Sequence, residues 1–314
     1  MNQKPECSII TINYNNADLC FSAVKSILQH SQIYSYEIIV VDNGSELPDF
    51  KRLKELIFSL EAAEVKLIKS RINTGFGGGN MMGVQQAKGR FYVFANSDVI
   101  LQKDTIAVSV NFLMQNKNTA MVGGIASNEH GKVFKTFLYG LGLRSEILSE
   151  GFLTFVSPKK YPSRRKTITT ATKVDAVPGS FLVCKAEDFD YVGGFDTNLF
   201  LYYEEKDLAF RIRKFLNKDI YILPDAEYIH LKGKSTPSSY AIKKELKISQ
   251  FYSVRKNLGL FKYLLFYSFN FLKFLLKAPF NKKNRKYLSL IINGVSLTQS
   301  LKHKQKLQPA NGNR

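Results

Sequence analysis

The sequence predicts an α/β chain built on a mainly parallel sheet, and three observations carry that expectation. Short β-rich apolar runs alternate with stretches of helical apolar spacing through the first 125 residues, the pattern of strands joined by right-handed crossovers. Three of the runs end in small polar clusters. One of them, FYVFA at 91–95, is apolar throughout, as a strand buried on both faces must be. With 314 residues, 45% hydrophobic and 23% charged, the chain is long enough for a full core in one large or two ordinary domains.

Residues 7–12 (CSIITI) form the first strand, which breaks into Asn13-Tyr14-Asn15-Asn16, and Leu19, Val24, Ile27 and Leu28 give the following helix its apolar face. The second strand, 36–41 (YEIIVV), ends in Asp42-Asn43-Gly44-Ser45, with a helix over 48–62. A third strand lies at 65–68. Residues 71–83 (RINTGFGGGNMMG) carry five glycines but neither a complete dinucleotide fingerprint nor a Walker lysine. Two readings stand: backbone brought close to a ligand ahead of a helix that starts just after the glycines, or a flexible surface loop. The fourth strand, 91–95, ends in Asn96-Ser97-Asp98, either a plain turn or the strand-end crevice where open α/β sheets bind ligands.

A helix is expected over 104–116 and a strand over 121–125. Residues 127–170 are polar and irregular, with a basic cluster at Lys159, Lys160, Arg164, Arg165 and Lys166, and read as a loop that folds over a substrate. Apolar order returns over 173–185 around Pro178-Gly179. In the stretch 192–214, Gly193, Gly194 and Asp196 make a loop and the aromatic run 200–203 is expected to be largely buried. Glu204, Glu205 and Asp207 then open a helix whose apolar face is Leu208, Ile212 and Phe215. Acids in a first turn and an Asp207–Arg211 pair are what a helix favours anyway. A Glu held against aromatic rings is equally a carboxylate made into a usable base. Final strands are expected at 219–223 and 226–230, with His230 preceding a basic, hydroxyl-bearing loop at 231–236.

The net charge of +19 is concentrated in the tail: from Ala241 onward there are 16 Lys and Arg against the single acid Glu245. Long apolar runs interleave these bases, which excludes a recognisable nucleic-acid motif and favours an anionic membrane surface. In 259–280 (GLFKYLLFYSFNFLKFLLKAPF), Lys262, Lys273 and Lys277 leave only 263–272 uncharged, too short to span a bilayer. On a helical wheel, Lys262, Asn270, Lys273 and Lys277 fall within about 80° of one another. A helix lying in the membrane interface is expected, with packing on a partner or on its own domain as the alternative. Cys7, Cys20 and Cys184 have no metal-ligand spacing and read as reduced thiols of a cytosolic protein. The N-terminal apolar run is too brief for a signal peptide.

Together, IITINYNN, EIIVVDNGS, NTGFGGGN, FANSDV, VPGSFLVCK, VGGFD, LYYEEKDLAFRIRK and HLKGKST resemble, in order over about residues 6–236, the family 2 glycosyltransferases, closest to their rhamnosyltransferase-like branch. The resemblance implies a GT-A fold over 1–238, with a nucleotide-binding half to about 125, an acceptor half after it, and a membrane-associating helical tail over 239–314. It implies inverting transfer from a nucleotide-diphosphate sugar to a lipid-linked saccharide, with Mg²⁺ or Mn²⁺ as cofactor. Thr11, Asn13, Tyr14 and Asp42 would hold the base and ribose, and Asn73, Gly75 and Asn80 would line the diphosphate side. Asn96 and Ser97 also fall in the donor site. Asp98 and His230 would hold the metal, Asn96 standing where much of the family has an Asp. Glu205, with Glu204 as the alternative, takes the place of the catalytic base, and Gly179 and Asp207 lie on the acceptor side. The processive Gln-x-x-Arg-Trp signature is missing, so one sugar per encounter is implied. L-Rhamnose from dTDP is the leading donor, UDP-galactose or UDP-N-acetylglucosamine the alternative, and a non-catalytic basic module the rival of another class.

Overall fold

A computed structural model describes residues 5–31, 34–134, 137–164, 167–231 and 239–309. Strands β1 (Cys7–Asn13), β2 (Tyr36–Asn43), β3 (Val65–Ser70) and β4 (Phe91–Ala95) are linked by helices α1 (Ala17–His30), α2 (Leu47–Phe58) and α3 (Gly75–Val84). These strands pair in parallel in the order β3-β2-β1-β4. Then follow β5 (Val99–Ile100), α4 (Thr105–Gln115), β6 (Thr119–Ser127), α5 (Leu143–Ile147), α6 (Glu150–Val156), β7 (Thr172–Val174), β8 (Phe181–Lys185), α7 (Ala186–Tyr191), α8 (Glu204–Arg211) and β9 (Asp219–His230). β8 lies antiparallel between β4 and β6, β9 runs parallel to β6, and β7 and β5 pair antiparallel with the two ends of β9. Alternation along the strands sorts side chains into two cores. Ile9, Ile38, Val40 and Val93 pack with Val24 and Ile27 of α1 on one face; Ile10, Ile39, Val41 and Phe94 pack with Phe189, Phe195 and Leu208 on the other. All of β4 is buried, as its composition requires.

Several elements differ from the sequence expectation. The glycine-rich stretch is itself helical, because α3 lies against the sheet more closely than side chains allow. A Cβ on Gly83 would meet Ile10 Cγ2 at 2.5 Å, and one on Gly79 would meet Ile12 and Asn43 at 3.0 Å. The backbone does come close to something, and that something is protein. The two expected final strands are one, β9, with a register shift opposite Gly124/Ile125. Residues 127–170 include the ordered helices α5 and α6. Tyr202 is 37% exposed, so the aromatic run is only partly buried. Phe215 is 56% exposed because the helix loosens into a π-helical turn over Ile212–Leu216, which rotates that side chain off the apolar face. The Lys232–Thr236 loop and the pair Arg165 and Lys166 lie outside the described residues.

The basic tail forms α9 (Tyr240–Lys277) and α10 (Lys282–Ile292). α9 breaks at Gly259, whose φ of 83° only glycine adopts without strain. Before the break it packs on the body: Ser249 Oγ donates to the Leu201 carbonyl at 2.9 Å, and Lys256 Nζ reaches Asp196 at 2.7 Å and Asp207 at 2.8 Å. Beyond the break, Phe266 and Phe274 pack with Tyr287, Leu290 and Ile291 of α10. Asn270 is on this buried face, 3% exposed, its amide donating to the Phe266 carbonyl at 2.9 Å. It therefore does not join the lysine edge; a helical wheel holds no information on what the rest of the chain buries. The outer face stays bare, with Leu260, Phe261, Leu264, Leu272 and Leu276 all more than half exposed. By length and composition α9 is long and apolar enough to cross a membrane.

Candidate active site at the strand ends

A cavity of about 310 Å³ opens beyond β1, β2 and β4, and Tyr14, Asn73, Gly75, Asn96 and Ser97 are in its wall. Strand parity decides which neighbours join them. Ile12 and Tyr14 face the cavity, so Thr11 and Asn13 point to the other side of the sheet and are fully buried. Asn13 is in register with Asp42, and its amide donates to Asp42 at 3.1 Å, Ser45 at 3.1 Å and Asp49 at 2.8 Å. Burial holds the Asp42 carboxyl above its usual range. Thr11, Asn13 and Asp42 thus line no part of the cavity; they brace the loops that do. The side chain missed by sequence reasoning is Asn43, one residue on and therefore on the cavity side. It accepts from the Thr74 N–H at 3.0 Å and donates to the Gly75 carbonyl at 2.9 Å, tying β2 to the start of α3. Asn80 is 2% exposed and donates to the Phe76 carbonyl at 3.1 Å, away from the cavity. Gly75 is required where it stands: its φ is 81°, and a Cβ there would lie 2.1 Å from the Phe200 carbonyl oxygen.

Beside this cavity, β5 and β9 set Asp98 and His230 together. Val99 pairs with His230, the Leu231 N–H donates to the Asp98 carbonyl at 2.8 Å, and His230 Nε2 lies 3.3 Å from Asp98 Oδ1. Asp98 is 1% exposed, while the His230 side chain keeps 19% of its surface open. The pair fits a divalent cation: ligands about 2.1 Å from one ion and roughly at right angles lie about 3 Å apart. Among the described residues no third His, Cys, Asp or Glu joins them, so such an ion would draw its remaining ligands from phosphate oxygens and water.

A second cavity, about 340 Å³, is lined by Glu205 with Pro178, Tyr202 and Lys206. Glu205 is the second residue of α8, which follows Tyr202 and Tyr203, both with φ above 70°, a conformation that costs energy in non-glycine residues and concentrates at functional sites. The Gly179 N–H donates to Glu205 Oε1 at 2.7 Å. Burial raises the Glu205 pKa above its ordinary value, only partly opposed by hydrogen bonds from backbone N–H groups and by Lys206. Glu204 is 1% exposed, is absent from the walls of both cavities, and is pushed well up by burial and by the neighbouring Glu205 charge. Of the two, Glu205 alone meets open space. Asp207 is fully buried and bound by Arg211, Lys256 and Asn257, so it anchors α9 instead of facing an acceptor.

The loop at 178–180 joins the two cavities. Gly179 holds Glu205, while the Ser180 carbonyl accepts from the Asn96 N–H at 2.9 Å. A Cβ on Gly179 would meet Glu205 Oε1 at 2.5 Å and Phe76 Cζ at 2.7 Å. Gly179→Ala is therefore expected to displace the carboxylate and lower kcat about 10²-fold, the usual cost of a misplacement near 1 Å. Steady-state kinetics beside an unchanged donor Kd would check it.

The first cavity has an unexpected wall. Ile242, Leu301 and Gln305 line it from the tail. Glu245 holds the strap by accepting from Ser300 Oγ at 2.6 Å and the Leu301 N–H at 2.8 Å, and the Gln308 N–H donates to the Arg71 carbonyl at 2.6 Å. Residues 240–308 are thus part of the site's architecture.

The fold is that of the GT-A glycosyltransferases. A solved mannosyltransferase, PcManGT from Pyrobaculum calidifontis in complex with GDP-Man and Mn²⁺, superposes with a TM-score of 0.56 at 14% identity, over 95% of this chain and 86% of that one. Residues 8–186 match the family described as Glycosyl transferase family 2, and the chain belongs to that family. It is 25% identical over 265 residues to the rhamnosyltransferase WbbL of Escherichia coli (strain K12), covering 80% of this chain and 93% of WbbL. It is 28% identical over 116 residues to the Escherichia coli UDP-Glc:alpha-D-GlcNAc-diphosphoundecaprenol beta-1,3-glucosyltransferase WfgD, covering 37% of this chain and 44% of WfgD. Of another curated relative, y4gI of Sinorhizobium fredii, the chain spans 25% of the length.

Proposed function

We propose that this chain is an inverting, divalent-metal-dependent glycosyltransferase. It moves a deoxyhexose, L-rhamnose from dTDP-L-rhamnose, onto a lipid-linked saccharide at a membrane surface in bacterial surface-polysaccharide synthesis. The single observation that carries the reading is Glu205, a carboxylate of raised pKa that faces its own cavity across the Gly179 loop from the strand-end cavity and the Asp98–His230 pair. The donor's nucleotide would lie among Tyr14, Asn43, Asn73 and Gly75. Asp98 and His230 would hold Mg²⁺ or Mn²⁺, which supplies charge neutralisation for the departing diphosphate. Glu205 takes the proton from the acceptor hydroxyl as its oxygen bonds to the anomeric carbon and the bond to the diphosphate oxygen breaks. No protein nucleophile is needed. The match to WbbL supports rhamnose, and that to WfgD supports a diphosphate lipid acceptor. The bare apolar face of α9 supports attachment to the membrane.

A panel of dTDP-L-rhamnose, UDP-galactose, UDP-N-acetylglucosamine and GDP-mannose, titrated with Mg²⁺ or Mn²⁺ in a calorimeter, tests this. The rhamnosyl donor is expected to bind at least tenfold more tightly than the others. A tighter UDP sugar would overturn the donor, and metal-independent or absent binding of all four would overturn the function.

A further inference from the structure

A third cavity is at neither of these positions. It is an open groove of about 1150 Å³ between the 139–144 and 159–162 segments, β7, the end of α8 and the start of α9's outer half. Its wall is strongly basic. Asp175 is the only acid in it and is taken by Arg213, while Lys173 is paired with Asp219. Arg144, Lys159, Lys160, Lys214 and Lys262 remain, and among the described residues none of these five has a carboxylate partner. Five unneutralised cations around one concavity raise a positive potential that calls for a multiply charged anion.

Two further observations say what carries that anion. Leu258 and Lys262 line the groove, and the same stretch of α9 exposes Leu260, Phe261, Leu264 and Leu265. A charged head in the groove would therefore have its apolar tail against this exposed apolar face. At the other end, a cavity of about 160 Å³ shares Tyr139, Gly140, Tyr161 and Pro162 with the groove, and shares Leu138, Arg164 and Lys206 with the cavity of Glu205. Neighbouring cavities that share wall residues thus lie between the cations and the carboxylate.

We infer that this groove is the seat of the diphosphate of a lipid-borne acceptor, with the lipid along α9 and the saccharide extended toward Glu205. The inference rests on the glycosyltransferase reading for the identity of the acceptor, but the groove itself stands on charge and shape. The basic cluster at 159–160 then has a role beyond a solvated face.

The test is a titration of the full chain with farnesyl diphosphate, inorganic pyrophosphate and farnesol, repeated on a Lys159→Gln, Lys160→Gln, Lys214→Gln variant. Farnesyl diphosphate is expected to bind at least tenfold more tightly than pyrophosphate and farnesol, and at least tenfold more weakly to the variant. The variant's metal-dependent affinity for the nucleoside diphosphate selected by the donor panel is expected to be unchanged, which also shows that it is folded. Equal affinity of variant and parent for farnesyl diphosphate would overturn the groove. Pyrophosphate binding as tightly as farnesyl diphosphate would overturn the lipid and leave a site for free phosphates. Should farnesyl diphosphate bind as expected while no nucleotide sugar binds, the transferase reading falls and the anion groove stands.

Discussion

Glu205→Gln is expected to lower kcat by about 10²–10⁴-fold, the range a positioned general base contributes, while the donor Kd stays within twofold. Gln keeps the shape and can still accept from the Gly179 N–H, so the loop that ties the cavities survives. What it lacks is the lone pair basic enough to take the acceptor's proton. The parent's rate should fall as pH drops through the Glu205 pKa, which burial places above the ordinary 4.5, and the variant's residual rate should lack that limb. Stability moves the opposite way. Because the folded protein holds this proton more tightly than the unfolded chain, the carboxyl's contribution is fully present below pH 4.5 and is lost as pH rises through the folded value. The variant should therefore melt at a higher Tm than the parent at neutral pH, with the difference closing in acid. A variant with near-normal turnover would remove Glu205 from the reaction.

Asp98→Ala is expected to abolish the metal dependence of donor binding and to lower kcat/KM by roughly three orders of magnitude, equivalent to about 4 kcal/mol of lost transition-state stabilisation. Asp98 is the buried half of the pair and His230 the partly open half, so in the proposed metal site the carboxylate would be the ligand held most firmly in place. Calorimetry of the nucleoside diphosphate with and without Mn²⁺ reads the effect directly. Parent and variant should agree without metal and diverge with it; the same metal-induced gain in both would place the ion elsewhere. Asn96→Asp, which restores the carboxylate that much of the family carries, should tighten Mn²⁺ binding, since Asn96 lines the same cavity.

How far the site was legible is clearest in residues 11–14 and 42–43. Both polar clusters stand out at strand ends, and Tyr14 lines the strand-end cavity as its cluster predicts. Thr11, Asn13 and Asp42 share those clusters yet brace the cavity from behind, while Asn43 lines it. Composition marks a strand end without saying which face of the sheet the ligand takes, and a shift of one residue exchanges the faces. The choice between Glu204 and Glu205 has the same origin: adjacent positions on one helix turn look alike in sequence, and only packing sends one side chain into the core and the other to a cavity.

The tail shows the other limit. Its charge and amphipathic helix were readable, because a period of 3.6 residues is a local property. That Asn270 would be buried, that Leu301 and Gln305 would return to wall the strand-end cavity, and that Lys159 and Lys160 would meet Lys214 and Lys262 around one groove were not. Local identity is written in neighbouring residues: alternating strands and helices, polar strand ends, an acidic helix start, a basic apolar tail. Which of these residues share a cavity follows from how the segments pack. Side-chain periodicity is encoded within a few neighbouring residues, whereas the meeting of Asp98 with His230, or of Gly179 with Glu205, depends on pairings between segments distant in the chain.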